Sequence, residues 1–173
     1  MKNIELRLSM VWITILTTIL SSCSPSVSTE SVDVELKLSG EMLFEGANSL
    51  QYANESQLAD LAGTVGTDSR ALKKVIVSNV LIELNESSRP ITESLLLQVV
   101  SDNQELITIG TLNPLTAGTQ CILSLAENTS ILPYLKDSGT TWVLDLNISE
   151  DYIDEMIVKG TLTLSVDYIP NKN

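Results

Sequence analysis

Residues 32–38 read Val-Asp-Val-Glu-Leu-Lys-Leu, so that apolar side chains alternate with charged ones along the whole run. Successive side chains of a β-strand point to opposite faces of the sheet, and strict alternation therefore predicts a strand with one buried and one solvated face. The same period of two recurs in residues 161–168, which read Thr-Leu-Thr-Leu-Ser-Val-Asp-Tyr, and in residues 141–148. We therefore expect an antiparallel sheet with one dry face, at both ends of the domain.

Four further segments are strand candidates, and turn residues such as Asn85–Pro90 and Asp137–Gly139 separate them. These candidates are residues 72–84, 94–100, 106–112 and 120–125. About seven short strands predict an all-β fold, namely an antiparallel two-sheet sandwich of the immunoglobulin-like or a similar Greek key type. An up-and-down barrel is the alternative, because the number of strands does not decide whether a sheet closes.

One or two short helical turns are expected beside the strands. Asn54 and Gln57 have the spacing of a capping pair, and Gly63 is placed to end the turn that follows. Ser149 is a candidate N-cap with Glu150 and an aspartate behind it, which predicts a second turn before the last strand.

The first 22 residues have the organisation of an export signal. Lys2 and Arg7 form a charged head, residues 10–20 are largely apolar, and small residues precede Cys23. The apolar run is 11 residues long, whereas a spanning helix needs about 20. We interpret it as the core of a signal peptide.

The junction Leu20-Ser21-Ser22-Cys23 resembles the lipobox of bacterial lipoproteins. This resemblance implies cleavage before Cys23, diacylation of its sulfur and a further acylation of its new amino group. Two or more acyl chains suffice for stable membrane anchoring, whereas one does not. Ser24 in place of Asp implies, by resemblance to lipoprotein sorting in diderm bacteria, the outer membrane. The alternative is an ordinary secretory signal with Cys23 at its junction by chance.

The predicted organisation is a signal peptide at 1–22, a lipidated Cys23 with a flexible tether at 23–31, and one β-sandwich domain at 32–170. The tether is polar and contains Pro25, so it has too little apolar surface to order itself. The body also resembles small β-sandwich lipoproteins of unknown function from Bacteroidetes. Residues 71–84, 132–136 and 160–168 carry that resemblance, which implies the fold and an envelope location and transfers no functional residue.

The charge of the chain narrows the choice of partners. Without residues 1–22 the chain has 8 basic and 21 acidic side chains, a net charge of −13. Nucleic-acid affinity depends on Lys and Arg side chains that neutralise phosphates, and anionic lipid surfaces repel an acidic protein in the same way. We therefore expect no nucleic-acid partner.

The sequence offers few candidates for catalytic side chains. The chain contains no histidine, which excludes Ser-His-Asp and Cys-His nucleophilic sites and His-ligated zinc. Cys121 lies on an apolar strand face with Leu123 and Leu125, which favours a core position. We predict no catalytic residue and no cofactor, and expect that the protein is not an enzyme.

One acidic cluster near residues 145–155 raises the question of calcium. Asp145, Asp151 and Asp154 are the candidate ligands, but an EF-hand loop that began at Asp145 would require Gly at position 150 and Glu at position 156. The chain has Glu150 and Met156 there, so we favour a solvated acidic edge and predict no metal site.

Two functions from different classes remain. The first is a lipid-anchored, non-catalytic module that binds or organises components of the cell envelope, with a protein or a glycan as partner. The second is a carbohydrate-binding or carbohydrate-active accessory lipoprotein. Its aromatic contacts would come from loop residues, since Trp142 and Tyr168 fall on apolar strand faces. The loop candidates are Phe44, Tyr52, Tyr134 and Tyr152.

Overall fold

A computed structural model describes residues 26–54, 56–115, 117–126 and 128–171. The predicted signal peptide and Cys23 lie outside these residues. Within them the chain forms nine strands, two short α-helices and one 3-10 turn, Ser69–Ala71. The strands are β1 (Ser28–Gly40), β2 (Gly46–Ala53), β3 (Leu72–Glu83), β4 (Thr92–Ser101), β5 (Gln104–Leu112), β6 (Gln120–Ile122), β7 (Ser124–Leu125), β8 (Thr141–Ile148) and β9 (Met156–Tyr168); the helices are α1 (Gln57–Thr64) and α2 (Leu132–Lys136).

The all-β, antiparallel class is confirmed, but the strands are nine rather than about seven and belong to one sheet. Their order is β6-β3-β9-β1-β2-β8-β4-β5-β7. Strand β2 was not predicted, because Leu50 is its one fully buried side chain and no apolar alternation marks it. The predicted strand 120–125 is divided into β6 and β7, which pair with different neighbours.

Strand β9 is the centre of one half of the sheet. It pairs with β1 without interruption from Ser28↔Tyr168 to Gly40↔Met156. On its other side it pairs with β3, from Leu72↔Tyr168 to Glu83↔Lys159, with two register shifts. Alternate side chains of β9 from Met156 to Val166 are buried. The period-two pattern at residues 161–168 therefore predicted the buried face correctly.

The segment from Gln120 to Leu125 brings the two edges of the sheet together, and we call it the closing segment. Its first part, β6, pairs with β3, and its second part, β7, pairs with β5. Leu123 lies between them, is buried, and donates its N–H to the carbonyl of Val80. A single stretch of chain therefore covers part of both outer strands, and the sheet is nearly closed.

The two halves of the sheet meet between β1 and β2. These strands share one pair, Ser39↔Gln51, whereas β2 pairs with β8 along its whole length. Strand β8 in turn pairs with β4. The buried faces of both halves contribute to one hydrophobic cluster, in which Trp142, Leu144 and Leu164 are fully buried.

The helices differ in part from the prediction. Helix α1 forms where expected, but Ser56 rather than Asn54 is its N-cap. The Asn54 side chain instead accepts hydrogen bonds from the backbone N–H and the hydroxyl of Ser56. The turn predicted after Ser149 is wrong: residues 149–155 contain no helix, since Tyr152 is held in a β-bridge with Leu43. The second helix is α2, which starts with Pro133 in its first turn.

The boundary of the predicted tether also moves. Strand β1 begins at Ser28, so residues 28–31 are paired with β9 rather than free. The Thr29 hydroxyl donates to Asp167 at 2.7 Å, which holds this end of β1. Within the described residues, no helix has the length and apolar character needed to cross a membrane.

The alternation along β9 predicts opposite outcomes for adjacent residues. Leu164 is fully buried, whereas its neighbour Ser165 lies on the other face. We expect Leu164→Ala to lower the free energy of unfolding by about 2–5 kcal/mol, because it opens a cavity in the core. Ser165→Ala is the matched control, with an expected change within about 0.5 kcal/mol. Urea unfolding measures both, and equal losses would contradict the assigned faces.

Candidate docking surface at the distal loops

The structure does not gather the three calcium candidates into one site. No group of three or more His, Cys, Asp or Glu side chains among the described residues could hold a metal ion. The Asp145 carboxylate accepts a hydrogen bond from the Ser49 hydroxyl. The Asp151 carboxylate accepts one from the backbone N–H of Glu45 at 2.8 Å. These two carboxylates act as hydrogen-bond acceptors in two different places.

Cys121 lies in β6 with no exposed surface. Burial raises the pKa of its thiol, and the charge of Arg89 opposes that effect only in part. A buried thiol with a raised pKa is a poor nucleophile. The predicted core position of Cys121 is therefore confirmed.

Two of the four aromatic candidates for glycan contact are not on loops. Tyr52 lies in β2, and Tyr134 lies in α2, where it is 6% exposed and donates its hydroxyl to the carbonyl of Glu105 at 2.8 Å. Phe44 and Tyr152 lie in loops. Tyr152 is half-buried, whereas Phe44 has 56% of its surface exposed.

Phe44 belongs to one of two neighbouring loops at the end of the sheet opposite Ser28. The first loop, residues 41–45, follows β1, and the second, residues 149–155, precedes β9; we call them the distal loops. They carry three large apolar side chains that face solvent. Their exposed fractions are 61% for Met42, 56% for Phe44 and 63% for Ile153.

A β-bridge between Leu43 and Tyr152 joins the distal loops. Each residue donates its N–H to the carbonyl of the other, at 2.9 and 2.8 Å. Leu43 is 4% exposed and anchors the bridge in the core. Because side chains alternate along an extended chain, Phe44 and Ile153, which follow Leu43 and Tyr152, project away from the core. Met42, on the other side of Leu43, is also exposed.

Further hydrogen bonds fix the backbone of the first loop. The Asn48 side chain accepts from the N–H of Phe44 at 3.0 Å and donates to its carbonyl at 2.7 Å. The Asp151 carboxylate holds the N–H of Glu45. Met42 has a φ of 52°, in the left-handed region that non-glycine residues rarely adopt. Such conformations persist where the surrounding structure imposes them, and they concentrate at functional sites.

The electrostatics of the distal loops are one-sided. Six acidic residues lie in the two loops, all exposed, and neither loop contains Lys or Arg. These residues are Glu41, Glu45, Glu150, Asp151, Asp154 and Glu155. The distal loops therefore combine exposed apolar side chains with exposed carboxylates.

Sequence reasoning found parts of this surface but not the surface itself. It identified Phe44 as a loop aromatic and residues 145–155 as an acidic edge. It gave no signal that the two loops meet, because the Leu43–Tyr152 pair is a contact between residues more than one hundred positions apart. It also predicted a helical turn after Ser149, which the structure does not contain.

A second polar feature is a cleft of about 360 Å³ between the start of α1 and the loop that follows α2, with Asn54, Gln57, Lys136 and Asp137 among its walls. Gln57 is 4% exposed, and its amide oxygen accepts from the indole N–H of Trp142 at 3.0 Å. An indole N–H is only a donor, so the oxygen of the amide must face it. The amide nitrogen has no hydrogen-bond partner among the described residues.

Asp137, on the opposite wall, is fully engaged in local structure. Its carboxylate accepts from the side chain and backbone of Asn103 at 2.7 and 2.6 Å and from the Ser101 hydroxyl at 2.9 Å. Hydrogen bonds from the side chain and backbone of Asn103 lower the pKa of Asp137, burial opposes them, and weaker hydrogen bonds from Ser101 and Ser138 lower the pKa further. Asp137 therefore ties the loop after α2 to the turn after β4.

The sequence matches no protein-family model and no curated protein. Among solved structures, a chain of the empty head of turnip yellow mosaic virus is 11% identical, with 83% of this chain and 84% of that chain covered and a TM-score of 0.28. A chain of Desmodium yellow mottle tymovirus is 7% identical, with 84% and 91% covered and a TM-score of 0.31. Similarity at this level carries no argument about fold or function.

The Gln57–Trp142 hydrogen bond yields a prediction about stability. Gln57→Leu leaves the buried indole N–H without an acceptor, and we expect a loss of about 1–3 kcal/mol in the free energy of unfolding. In the background of Trp142→Phe the indole donor is absent, so Gln57→Leu should cost clearly less. Urea unfolding of both single variants and the double variant gives the coupling energy. A coupling energy of zero would contradict the hydrogen bond.

Proposed function

We propose that this chain is a lipid-anchored, non-catalytic binding module of the cell envelope, held at the outer membrane through Cys23. The observation that carries the proposal is what lies at the two ends of β1. One end of β1 is close in sequence to the predicted anchor, and the other end leads into the distal loops. The protein would thus act as a spacer with a contact surface at its far end.

The distances support this arrangement. Ser28, where β1 begins, lies five positions after Cys23. Five residues span at most about 18 Å, so the domain stays close to the bilayer that holds it. Strand β1 has 13 residues, which at about 3.3 Å per residue carries the chain about 40 Å from Ser28 to the distal loops.

We further infer that the nearly closed sheet works as two packed layers, as in a sandwich. The support is the single β1–β2 pair, Ser39↔Gln51, which separates a group of four neighbouring strands from a group of five. Two layers around one core make a rigid support, on which binding loops keep their shape.

The groups offered by the distal loops are those of a contact surface. Phe44 and Ile153 supply apolar area, and the carboxylates around them supply charge. The backbone hydrogen bonds of Leu43, Phe44 and Glu45 hold the loops in one conformation. Binding to such a preformed surface loses little conformational entropy.

The anchor is tested by cell fractionation of the full chain with Cys23→Ala. We expect the unchanged protein in the membrane fraction and the variant in the soluble fraction, because it cannot carry acyl chains. Cys121→Ala is the matched control, since it removes the buried thiol and leaves Cys23 in place. Retention of Cys23→Ala in washed membranes would contradict the lipid anchor.

The second candidate, a carbohydrate-binding accessory lipoprotein, is favoured by the cleft beside Gln57. A sugar hydroxyl can accept the hydrogen bond that the Gln57 amide nitrogen lacks, and the cleft, at about 360 Å³, is within the size range of small-molecule sites. Asn54 and Lys136 add polar groups to its walls.

This alternative predicts a rise in the thermal midpoint with glucose, galactose or N-acetylglucosamine at millimolar concentration, because a ligand that binds only the folded state stabilises it. Gln57→Leu should abolish the rise, and Gln51→Leu, at an exposed position of β2, should keep it. No rise with any of the sugars would reject a glycan site at the cleft.

A further inference from the structure

We propose that the distal loops bind a basic protein surface, with Phe44 and its neighbours Met42 and Ile153 seated in an apolar pocket of that partner. This inference deepens the proposed function, because it names the surface and the chemistry of the partner. It rests on the proposed function only for the cellular location of the protein, because the contacts that support the docking surface lie within the distal loops.

The first support is the concentration of exposed apolar side chains. Among the described residues, large hydrophobic side chains with high exposure are Val27, Met42, Phe44, Leu106, Ile122, Leu125 and Ile153. Three of them belong to the distal loops, which the Leu43–Tyr152 bridge holds next to each other. Single exposed apolar residues are common, whereas a cluster that polar residues surround marks an interaction site. Aromatic side chains are also frequent anchors of interfaces.

The second support is that this surface is already ordered. The Asn48 side chain holds the backbone of Phe44 on both sides, with hydrogen bonds of 3.0 and 2.7 Å. The N–H of Glu45 is bound to Asp151, which links the first loop to the second. Met42 is kept in the left-handed region. An exposed hydrophobic loop that no partner covers has no need of such fixation, whereas a preformed anchor lowers the entropic cost of binding.

The third support is the charge of the distal loops, which favours one kind of binding partner over the others. Six carboxylates and no Lys or Arg lie in the distal loops. A second copy of this chain would place like charges against each other, and an anionic lipid surface would do the same. A protein with Lys and Arg around an apolar pocket complements both the exposed apolar side chains and the carboxylates of the distal loops. The association should therefore be fast at low salt and weaken as salt increases.

The experiment starts with p-benzoylphenylalanine in place of Phe44 in the full, lipidated chain, and with the same probe in place of Ile122 as the control. Ile122 is 64% exposed but lies in β6, outside the distal loops. Light-induced crosslinking in cells should give a discrete protein adduct from position 44 and not from position 122. An adduct alone does not support the proposal; the partner that it identifies is then purified.

Binding of the purified partner to the detergent-solubilised full chain is measured by calorimetry. We expect Phe44→Ala to weaken binding at least tenfold, and the pair Glu150→Lys with Asp154→Lys to weaken it at least tenfold at low salt. Ile122→Ala should leave the affinity unchanged. All four substitutions are at exposed positions, so the thermal midpoint should stay constant and show that each variant is folded.

Several results would overturn the proposal. They are the absence of an adduct from position 44, an equal adduct from position 122, an affinity that does not respond to Phe44→Ala, and binding that charge reversal strengthens. Failure of the lipid anchor is a separate result. In that case Cys23→Ala would not alter fractionation, while the calorimetric effects of Phe44→Ala and of the charge reversals would persist.

Discussion

Strand β9 is the element on which the other features depend, because it is paired along its length on both sides. Its partners β1 and β3 both run antiparallel to it, so their residues are placed by its register. Its buried side chains, from Met156 to Val166, supply a large part of the core. The same pairing fixes both ends of β1, one beside Tyr168 and one beside Met156. The separation between the N-terminal end of the domain and the distal loops is therefore a property of the hydrogen-bonded ladder.

The closing segment solves a problem common to open sheets, whose outer strands offer unpaired backbone groups to other chains. Strands β6 and β7 are three and two residues long, and one stretch of chain supplies both. Gly110 in β5 allows this approach, because a Cβ there would come within 3.1 Å of the backbone carbonyl of Ser124. Short, shared edges leave little room for strand addition at these two positions. The loops are then the more prominent surfaces for association.

Features that depend on a local sequence pattern were predicted, whereas features that depend on contacts between distant residues were not. Alternation at 32–38, 141–148 and 161–168 is local, and each of these segments is a strand with the expected buried face. Strand β2 was missed because its pairing with β8, rather than its own pattern, makes it a strand. Helix α2 was not predicted, because it is only five residues long and contains Pro133. The distal loops form a surface through one long-range bridge, which no local pattern encodes. The leader and Cys23, by contrast, are purely local signals, and their interpretation rests on the sequence alone.

Labelling of the Cys121 thiol can be used to measure the opening of the closing segment. The thiol is fully enclosed and its pKa is raised, so a thiol reagent in solution meets a sulfur that is both hidden and protonated. Modification must wait until β6 leaves β3, or until the whole domain unfolds. The labelling rate under native conditions would therefore measure how often β6 separates from β3. The dependence of that rate on denaturant would distinguish local opening from global unfolding. The same enclosure protects this thiol from oxidants in solution.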